Sequence, residues 1–285
     1  MKAMILAAGL GTRMQELTRT RPKPMLPVLN IPLIAHTLYL LHRNGCEFAA
    51  INTHYLGDQI ISYLEDFPYF TLQFTRESTI LGTGGGISGA LRQTDLSGYF
   101  WVLNPDCIYL PEFSLAAIAT NSHSQKGSPT SAAAVESTDN SPPGIPSADS
   151  LEPYRPLLML TDRSHDSSET GFQEIAEGTR ISSMQSTAVR FSSSGNLMYC
   201  GMALLHEDQF QDISFQQESN VVDEWKKRAE SHNLLGCLYT GSILDAGRKE
   251  DYLAVYKDRN AFPLTYIQGL TEFMEQWKGS TSSIQ

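Results

Sequence analysis

LAAGLGTRM, from Leu6 to Met14, is followed after six residues by RPKPMLP, from Arg21 to Pro27. Just before it, Ala3 to Ala7 is an apolar run with the length of a buried strand rather than of a helix. The chain is therefore expected to enter the core at once and to leave it in a glycine-containing turn. Together the two stretches predict a site for a triphosphate.

The residues of this turn suit an anion. Ala8, Gly9 and Gly11 carry little or no side chain, so backbone N–H groups can turn inward and approach a phosphate closely. Arg13 adds a planar fork that matches phosphate oxygens, and Lys23, between two prolines, adds a compact point charge. The alternative is a solvated glycine turn followed by a proline-rich loop. Neither GxxxxGK(S/T) nor a complete GxGxxG occurs in this stretch.

The pair LAAGLGTRM and RPKPML resembles the signature of the sugar-phosphate nucleotidyltransferases, also called nucleoside-diphosphate-sugar pyrophosphorylases. The resemblance implies an α/β protein with a Rossmann-like three-layer nucleotidyltransferase fold and a mostly parallel, mixed central sheet. It also implies that Arg13 and Lys23 act on the phosphates in catalysis. The residues that it implies for nucleotide binding in this part of the chain are Ala8, Gly9, Gly11, Thr12, Arg13 and Lys23.

Composition narrows the class of partner. The chain has 285 residues, of which 41% are apolar, and a formal net charge of −10. It can bury a sizeable core, and its negative charge argues against a general nucleic-acid or anionic-membrane surface, because cationic side chains hold both. No run approaches the roughly 20 apolar residues of a membrane helix, and the apolar start is at the lower limit for a signal peptide. We expect a cytoplasmic protein whose oligomeric state the sequence does not determine.

The cysteines indicate neither a zinc site nor a redox motif. There are four of them, widely spaced and without a CxxC pair, which predicts free thiols in a reducing compartment. They are Cys46, Cys107, Cys200 and Cys237.

Strand and helix signals alternate in the first third of the chain. The predicted elements are a helix at Asn30 to Gly45, strands at Phe48 to Asn52, Phe70 to Phe74 and Tyr99 to Leu103, and a helix with Ile60, Ile61 and Leu64 on one face. This alternation predicts a parallel sheet that is covered by helices on both faces.

Asn52 and His54 lie at the end of a predicted strand, where open α/β sheets usually place ligand groups. For His54 the alternative is a loop histidine satisfied by the backbone, because no second His or Cys lies at metal-ligand spacing. The segment NTHYL, which contains both residues, resembles the branch of the family with N-acetylmuramate-1-phosphate uridylyltransferases and mannose-1-phosphate guanylyltransferases. It assigns neither residue a role.

A second glycine cluster follows in RESTILGTGGGISGAL, from Arg76 to Leu91. Gly84, Gly86 and Gly89 match GxGxxG, the pattern of dinucleotide-binding sites. No buried strand runs directly into these glycines, so the match is weak. The start of the helix after Gly84 to Gly86 is expected to offer N–H groups to a ligand.

The resemblance gives this cluster another interpretation. Family members carry an LGT segment, preceded five residues earlier by Gln or Glu, that recognises the nucleobase, which here implies Glu77, Gly82 and Thr83. GTGGGI looks most like the uridylyl-transferring branch, which favours UTP.

Two aspartates at predicted strand ends are candidate metal ligands. Asp106 follows Asn104 and Pro105 and resembles the aspartate of the family's NGD motif, with proline in place of glycine. Asp245, in GSILDAGRKEDY after a last strand at Leu234 to Tyr239, resembles the aspartate of the DVG motif. The resemblance implies that both bind Mg²⁺. Without it, each would be a turn or cap residue.

The middle of the chain changes character. Residues 121–153 are rich in Ser, Pro, Ala, Thr and Gly, which predicts a flexible surface insertion in a single nucleotidyltransferase domain that spans 1–285. A short flap over the site is the alternative. The family's EKP segment, whose lysine binds the sugar phosphate, is not found.

The later predictions are strands at Leu157 to Leu160, Phe172 to Ile175, Ile181 to Met184 and Leu197 to Leu205, a polar loop at Asp162 to Thr170, and helices at Val221 to Ala229 and from Glu250 to Lys278.

The resemblance implies transfer of a nucleotidyl group from a nucleoside triphosphate to a sugar 1-phosphate, with release of pyrophosphate. An oxygen of the sugar phosphate attacks the α-phosphorus in line, and no general base is required because the attacking phosphate is already an anion. Mg²⁺, Arg13 and Lys23 would position the reactants and neutralise charge. The alternatives are cytidylyl transfer to a phospho-alcohol such as phosphocholine, a non-catalytic protein that binds nucleotide sugars, and a dinucleotide-dependent oxidoreductase.

Overall fold

The computed structural model describes residues 1–110, 115, 155–162, 171–174, 186–192, 195–239 and 241–279. The predicted insertion at 121–153, the strand at Ile181 to Met184 and most of the polar loop after Asp162 lie outside these residues. The chain divides into two compact units. One comprises Met1–Ser114, Cys200–Val221 and Thr240–Gln285, and the other comprises Leu115–Tyr199 and Val222–Tyr239. The single domain predicted from the sequence stays a prediction.

Strands and helices alternate in the first third of the chain, and strands predominate among the described residues from Tyr99 to His206. The strands are β1 (Lys2–Leu6), β2 (Pro27–Val28), β3 (Ile31–Pro32), β4 (Phe48–Thr53), β5 (Thr71–Arg76), β6 (Tyr99–Leu103), β7 (Cys107–Leu110), β8 (Leu157–Asp162), β9 (Gly171–Glu174), β10 (Ser186–Ser192), β11 (Leu197–His206), β12 (Leu235–Leu238) and β13 (Ser242–Asp245). The α-helices are α1 (Leu33–Arg43), α2 (Gly57–Leu64), α3 (Gly82–Gln93), α4 (Val221–Glu230), α5 (Lys249–Lys257) and α6 (Leu264–Lys278).

The first unit is built on a mixed sheet with strand order β5-β4-β1-β6-β11. Strand β1 pairs in parallel with β4 and β6, and β4 pairs in parallel with β5, whereas β11 runs antiparallel to β6. Helix α3 packs against β1, β4 and β5. Because four neighbouring strands are parallel, their carboxyl ends meet at one edge of the sheet, where such sheets usually bind ligands.

The second unit contains the strands β8, β12, β10 and β9. Strands β8 and β12 are parallel, and β10 lies antiparallel to both β12 and β9. Gly236 of β12 is a point of close packing, since a Cβ atom there would lie 2.6 Å from Leu160 and 2.7 Å from Val189. A larger residue at position 236 would push these strands apart.

The predicted α/β class with a mostly parallel mixed sheet is confirmed by these elements. The predicted strands at Phe48, Phe70, Tyr99 and Leu197 and the helix at Asn30 are present, with bounds that shift by at most a few residues. Gly45 has φ of 68°, as expected of a glycine that follows the end of a helix.

Two expectations about the glycine cluster and the last strand were wrong. Helix α3 starts at Gly82, so Gly84 and Gly86 lie inside it rather than before it. Asp245 does not directly follow the central strand β12, because it ends a separate strand, β13, which pairs only with β7 among the described strands.

Cys46, Cys107, Cys200 and Cys237 are buried, and none of the four forms a disulfide bond, as the sequence predicted. Among the described residues, no helix combines the length and the apolar character needed to span a bilayer.

A buried histidine joins the first and last helices of the first unit. His36 on α1 is 2% exposed. Its Nε2 lies 3.1 Å from the carbonyl oxygen of Val28, and its Nδ1 lies 2.8 Å from the hydroxyl of Tyr266 on α6. A carbonyl can only accept, so Nε2 carries the proton and Nδ1 accepts from the tyrosine. Burial lowers the pKa of His36 from 6.5 to about 4.

We predict that this histidine makes the protein less stable in acid. The pKa of His36 in the folded protein lies below its value in the unfolded chain. Its contribution to the free energy of unfolding is therefore fully present above pH 6.5 and is lost as the pH falls towards about 4. The loss amounts to about 3 kcal/mol at 1.36 kcal/mol per pKa unit. Urea unfolding at several pH values, for the wild type and His36→Gln, measures it. The stability advantage of the wild type should shrink between pH 6.5 and 4, and an advantage that is constant with pH would contradict the assignment.

Candidate functional site

The glycine turn after β1 lies at the edge where the parallel strands end. Gly11 has φ of 64°, a conformation that favours glycine, and its carbonyl accepts hydrogen bonds from the N–H of Met14 at 2.9 Å and the hydroxyl of Thr18 at 3.0 Å. A Cβ atom on Gly11 would lie 3.0 Å from Thr18 and 3.2 Å from Lys23. The turn therefore depends on glycine at this position for both its backbone conformation and its packing.

A cavity of about 450 Å³ opens above this turn. Nearly all of the residues predicted to bind nucleotide or metal line it, although they come from distant parts of the sequence. The predicted residues that line the cavity are Ala8, Gly9, Gly11, Thr12, Arg13, Lys23, Glu77, Gly82, Thr83 and Asp106. Asp245 does not line the cavity directly, but it contacts Gly247, which does.

Lys23 forms the centre of the charged end of the cavity. It starts a short 3-10 helix, Lys23–Met25, that follows Pro22. Its ammonium group lies 2.5 Å from Oδ2 of Asp106 and donates a second hydrogen bond, of 2.9 Å, to the carbonyl oxygen of Gly247. The side chains of Lys23 and Asp106 are only 17% and 22% exposed, so water screens this ion pair weakly.

Asp245 reaches the same place through the pairing of β7 with β13. In this antiparallel pair Asp245 lies opposite Cys107, and the N–H of Ala246 donates to the carbonyl oxygen of Asp106 at 2.8 Å. The N–H of Gly247 donates to Oδ1 of Asp245 at 2.6 Å. Partial desolvation and then the negative charge of Asp106 raise the pKa of Asp245, although its side chain is exposed to solvent, which weakens both effects. The two carboxylates therefore act on one another electrostatically.

The other end of the cavity is organised by Glu77. Its Oε1 accepts from the amide nitrogen of Asn52 at 2.6 Å, and its Oε2 accepts from the N–H of Leu81 at 3.0 Å. The carbonyl oxygen of Glu77 lies 2.8 Å from Nδ1 of His54. The backbone thus satisfies the His54 ring, which is the simpler of the two interpretations that the sequence left open.

The helix start beside Glu77 is not a free anion site. The N–H groups of Gly84 and Gly85 both donate to the carbonyl oxygen of Ser219, at 2.8 and 3.2 Å. The expectation that the start of this helix offers N–H groups to a ligand was therefore wrong for Gly84 and Gly85. The hydroxyl of Thr83 is engaged as well, because it donates to Asn220 and accepts from the N–H of Val221.

Arg13 and Gly82 differ in how much freedom of movement their surroundings leave them. The exposed side chain of Arg13 has no hydrogen bond or ion pair to any residue that the structure describes, and it lies at the cavity. Gly82 has φ of 70°, and a Cβ atom on it would lie 2.5 Å from the carbonyl oxygen of Ser219. Of these two residues, Arg13 is the one that can move towards a ligand without disturbing the fold.

Asp106 and Asp245 are the candidate metal ligands within the described part of the chain. No group of three or more His, Cys, Asp or Glu side chains in that part is arranged to hold a metal ion. A cation there would need additional oxygen ligands from a substrate or from water.

Comparison with known proteins identifies the family of the chain. Residues 2–151 match the family model described as "Nucleotidyl transferase". A UTP–glucose-1-phosphate uridylyltransferase from Synechocystis is 37% identical over 100 residues, which are 33% of this chain and 26% of that protein. The matched region thus spans about a quarter of that relative.

Other relatives extend the match. An N-acetylmuramate alpha-1-phosphate uridylyltransferase from Caulobacter vibrioides is 37% identical over 123 residues, 41% of this chain and 50% of that protein. A D-glycero-alpha-D-manno-heptose 1-phosphate guanylyltransferase from Campylobacter jejuni is 22% identical over 253 residues, which cover 88% of this chain and 97% of that protein. These names include the branch that the NTHYL segment predicted.

Solved structures show the same fold. A UDP-glucose pyrophosphorylase from Acinetobacter baumannii superposes with a TM-score of 0.63 at 16% identity, and the match covers 98% of this chain and 95% of that one. The nucleotidyltransferase fold that the resemblance of LAAGLGTRM and RPKPML implied is therefore confirmed. The family match over more than half of the chain, together with this fold, shows that the protein belongs to the nucleotidyl transferase family of enzymes.

Proposed function

We propose that this protein transfers a nucleotidyl group from a nucleoside triphosphate to a sugar 1-phosphate, releasing pyrophosphate and forming a nucleotide sugar. The observation that carries the proposal is the single cavity that joins the glycine turn, Lys23 and Asp106 at one end to Glu77 and Gly82 at the other. Its volume of about 450 Å³ falls in the range of small-molecule sites, which is roughly 300–1,000 Å³.

The triphosphate belongs at the glycine turn. Gly9 has open space around it, with no atom within 4 Å of a Cβ built there, so a phosphate can approach the backbone closely. Lys23 supplies a fixed charge, and Arg13 supplies a mobile one. The nucleobase then lies at the other end of the cavity, which is lined by Glu77, Gly82 and Thr83.

Asp106 and Asp245 fit a hard divalent cation such as Mg²⁺. They offer oxygen ligands on adjoining segments, and the ammonium group of Lys23 already sits against Asp106, so this set of oxygens attracts a cation. Bound there, Mg²⁺ would neutralise negative charge on the phosphates. The two carboxylates would hold the ion, and Lys23 would balance the charge that remains.

The reaction needs no general base from the protein. An anionic oxygen of the sugar 1-phosphate forms the new bond to the α-phosphorus, while the bond from the α-phosphorus to the bridging oxygen breaks and pyrophosphate leaves with the electron pair. The contribution of Lys23 and Arg13 is to hold the phosphates in line and to stabilise charge in the transition state. No covalent enzyme intermediate is involved.

UTP is the favoured donor, on the basis of GTGGGI and of the two uridylyltransferases among the relatives. GTP is a second candidate because of Glu77. A carboxylate only accepts hydrogen bonds, and guanine presents two adjacent N–H donors, whereas uracil presents one donor between two carbonyl groups. Each oxygen of Glu77 accepts one hydrogen bond from the protein, which leaves it capacity for another.

Other readings of the sequence predict different products. Cytidylyl transfer to phosphocholine would consume CTP, and a non-catalytic protein would bind nucleotides without turnover. A dinucleotide-dependent oxidoreductase is disfavoured, because the N–H groups of Gly84 and Gly85, which such a site would need, are bonded to Ser219.

A pyrophosphate-release screen tests the proposal. UTP, GTP, CTP and ATP are each assayed with a panel of sugar 1-phosphates and with phosphocholine, in Mg²⁺. We expect release to require both a triphosphate and a sugar 1-phosphate, and to be fastest with UTP. Release fastest with GTP would support the second candidate, and binding without any turnover would contradict the proposal.

We predict that Lys23→Met lowers kcat on the order of a hundredfold or more, because it removes a charge that stabilises the transition state. The substitution keeps the length of the side chain, so the variant should remain folded at the assay temperature. Lys278→Met is the matched control, since Lys278 bonds to the carbonyl oxygen of Tyr63 and does not line the cavity. A Lys23→Met variant with kcat close to that of Lys278→Met would remove Lys23 from the site.

We also predict that Asp106→Asn and Asp245→Asn act as a unit. Each should abolish most activity, and the double variant should be little worse than either single variant, because the groups serve one step. Pyrophosphate release over a magnesium titration measures this effect. Asp251→Asn is the control, because it removes a charge that Asp245 senses without altering the cavity. Losses that multiply independently would argue against a shared ion.

A further inference from the structure

Asn52 connects the two ends of the cavity through its side chain. Asn52 is the last residue of β4 that pairs with β1, and its partner in the register is Leu6. It is 3% exposed. Its Oδ1 accepts from the N–H of Ala7 at 2.9 Å, and its Nδ2 donates to Oε1 of Glu77 at 2.6 Å. One amide thus bonds both to the first residue of the glycine turn and to the carboxylate at the nucleobase end.

The partners fix the orientation of this amide. A backbone N–H can only donate, so the oxygen of Asn52 must face Ala7, and the carboxylate of Glu77 only accepts, so the nitrogen must face Glu77. The second oxygen of Glu77 continues the chain of hydrogen bonds to the N–H of Leu81, just before α3. The network therefore links the ends of β1, β4 and β5 to the start of a helix.

Packing closes the network on the side of α3. A Cβ atom on Gly86 would lie 2.6 Å from Nδ2 of Asn52 and 2.9 Å from Oε1 of Glu77. The backbone of α3 thus approaches the pair as closely as a residue without a side chain allows. Asn52 and Glu77 consequently have little room to adopt another arrangement.

We propose that Asn52 is a positioning residue that sets the geometry between the glycine turn and Glu77. This inference rests on the proposed function, since the two places that Asn52 joins are the phosphate end and the nucleobase end of the nucleotide. Without this amide, the N–H of Ala7 and the carboxylate of Glu77 lose their shared partner inside the protein, and buried polar groups without a partner are costly. The positions of the glycine turn and of Glu77 then vary independently, so a nucleotide can no longer bind to both of them in one geometry.

The structure allows a test in which the polarity of the hydrogen bond is reversed. Asn52→Asp places a second carboxylate against Glu77, and Glu77→Gln places two amides together, so each single substitution mismatches donor and acceptor. In the double variant, the new carboxylate at position 52 can accept from Ala7 and from the new amide at position 77, whose oxygen can accept from Leu81. All of the hydrogen bonds are then restored with one of them reversed.

Binding is measured by calorimetry for inorganic pyrophosphate and for UTP, in Mg²⁺ and without sugar phosphate, and thermal denaturation is measured without any ligand. We expect Asn52→Asp to weaken pyrophosphate and UTP binding by at least about tenfold, and the double variant to recover most of the pyrophosphate affinity and of the melting temperature. Recovery of the pyrophosphate affinity reports on the turn alone, which Glu77 does not touch.

The control is Asn233→Asp, which alters another buried asparagine that lines no part of the cavity. It is expected to lower the melting temperature without weakening pyrophosphate binding. The proposal is overturned if Asn52→Asp binds both ligands within twofold of the wild type, or if the double variant recovers stability but not pyrophosphate affinity. A wild-type protein that binds no triphosphate would instead refute the proposed function, because the denaturation measurements test the network without a ligand.

Discussion

A single hydrogen bond, from the N–H of Ala7 to the side chain of Asn52, marks the point at which the sheet ends and the glycine turn begins. Strand β4 pairs with β1 up to Leu6, and β6 pairs with β1 up to Ile5. Beyond Leu6 the chain must turn away, and the side chain of a neighbouring strand provides the next hydrogen bond. Open α/β sheets usually bind ligands in the crevice outside the carboxyl ends of their strands, and the glycine turn lies there.

Charge balance shapes the other half of the site. Asp106 and Asp245 lie on segments that the β7–β13 pair holds side by side, and the like charge of Asp106 contributes to the raised pKa of Asp245. Lys23 offsets part of this negative charge from the loop that follows the glycine turn. Such a site favours the binding of further cations. When a triphosphate binds together with a cation, the carboxylates attract the cation and the Lys23 ammonium group attracts the phosphates.

How far the sequence predicted this site depends on the range of the interactions. The strand β1 and its turn follow from local rules, because an apolar run that leads into Ala8, Gly9 and Gly11 has few other solutions. Asp106 was also recognisable, as a carboxylate just past a strongly apolar strand. By contrast, the pairing of β13 with β7 joins segments far apart in the chain, and no local pattern indicates that partner. The same holds for Ser219, whose carbonyl oxygen takes the N–H groups of Gly84 and Gly85. Asn52 was visible as a polar strand end, but its two partners depend on the strand order.

The proposed function requires this cavity to bring the α-phosphorus of a nucleotide to the phosphate of a sugar. Phosphorus NMR of one reaction mixture, with the donor and acceptor that the screen selects, follows every phosphorus atom at once. We expect the α-phosphorus to enter a new diphosphate bridge to the sugar phosphate, and free pyrophosphate to form in an equal amount. Release of orthophosphate, or pyrophosphate formed without the new diphosphate, would contradict the proposed function.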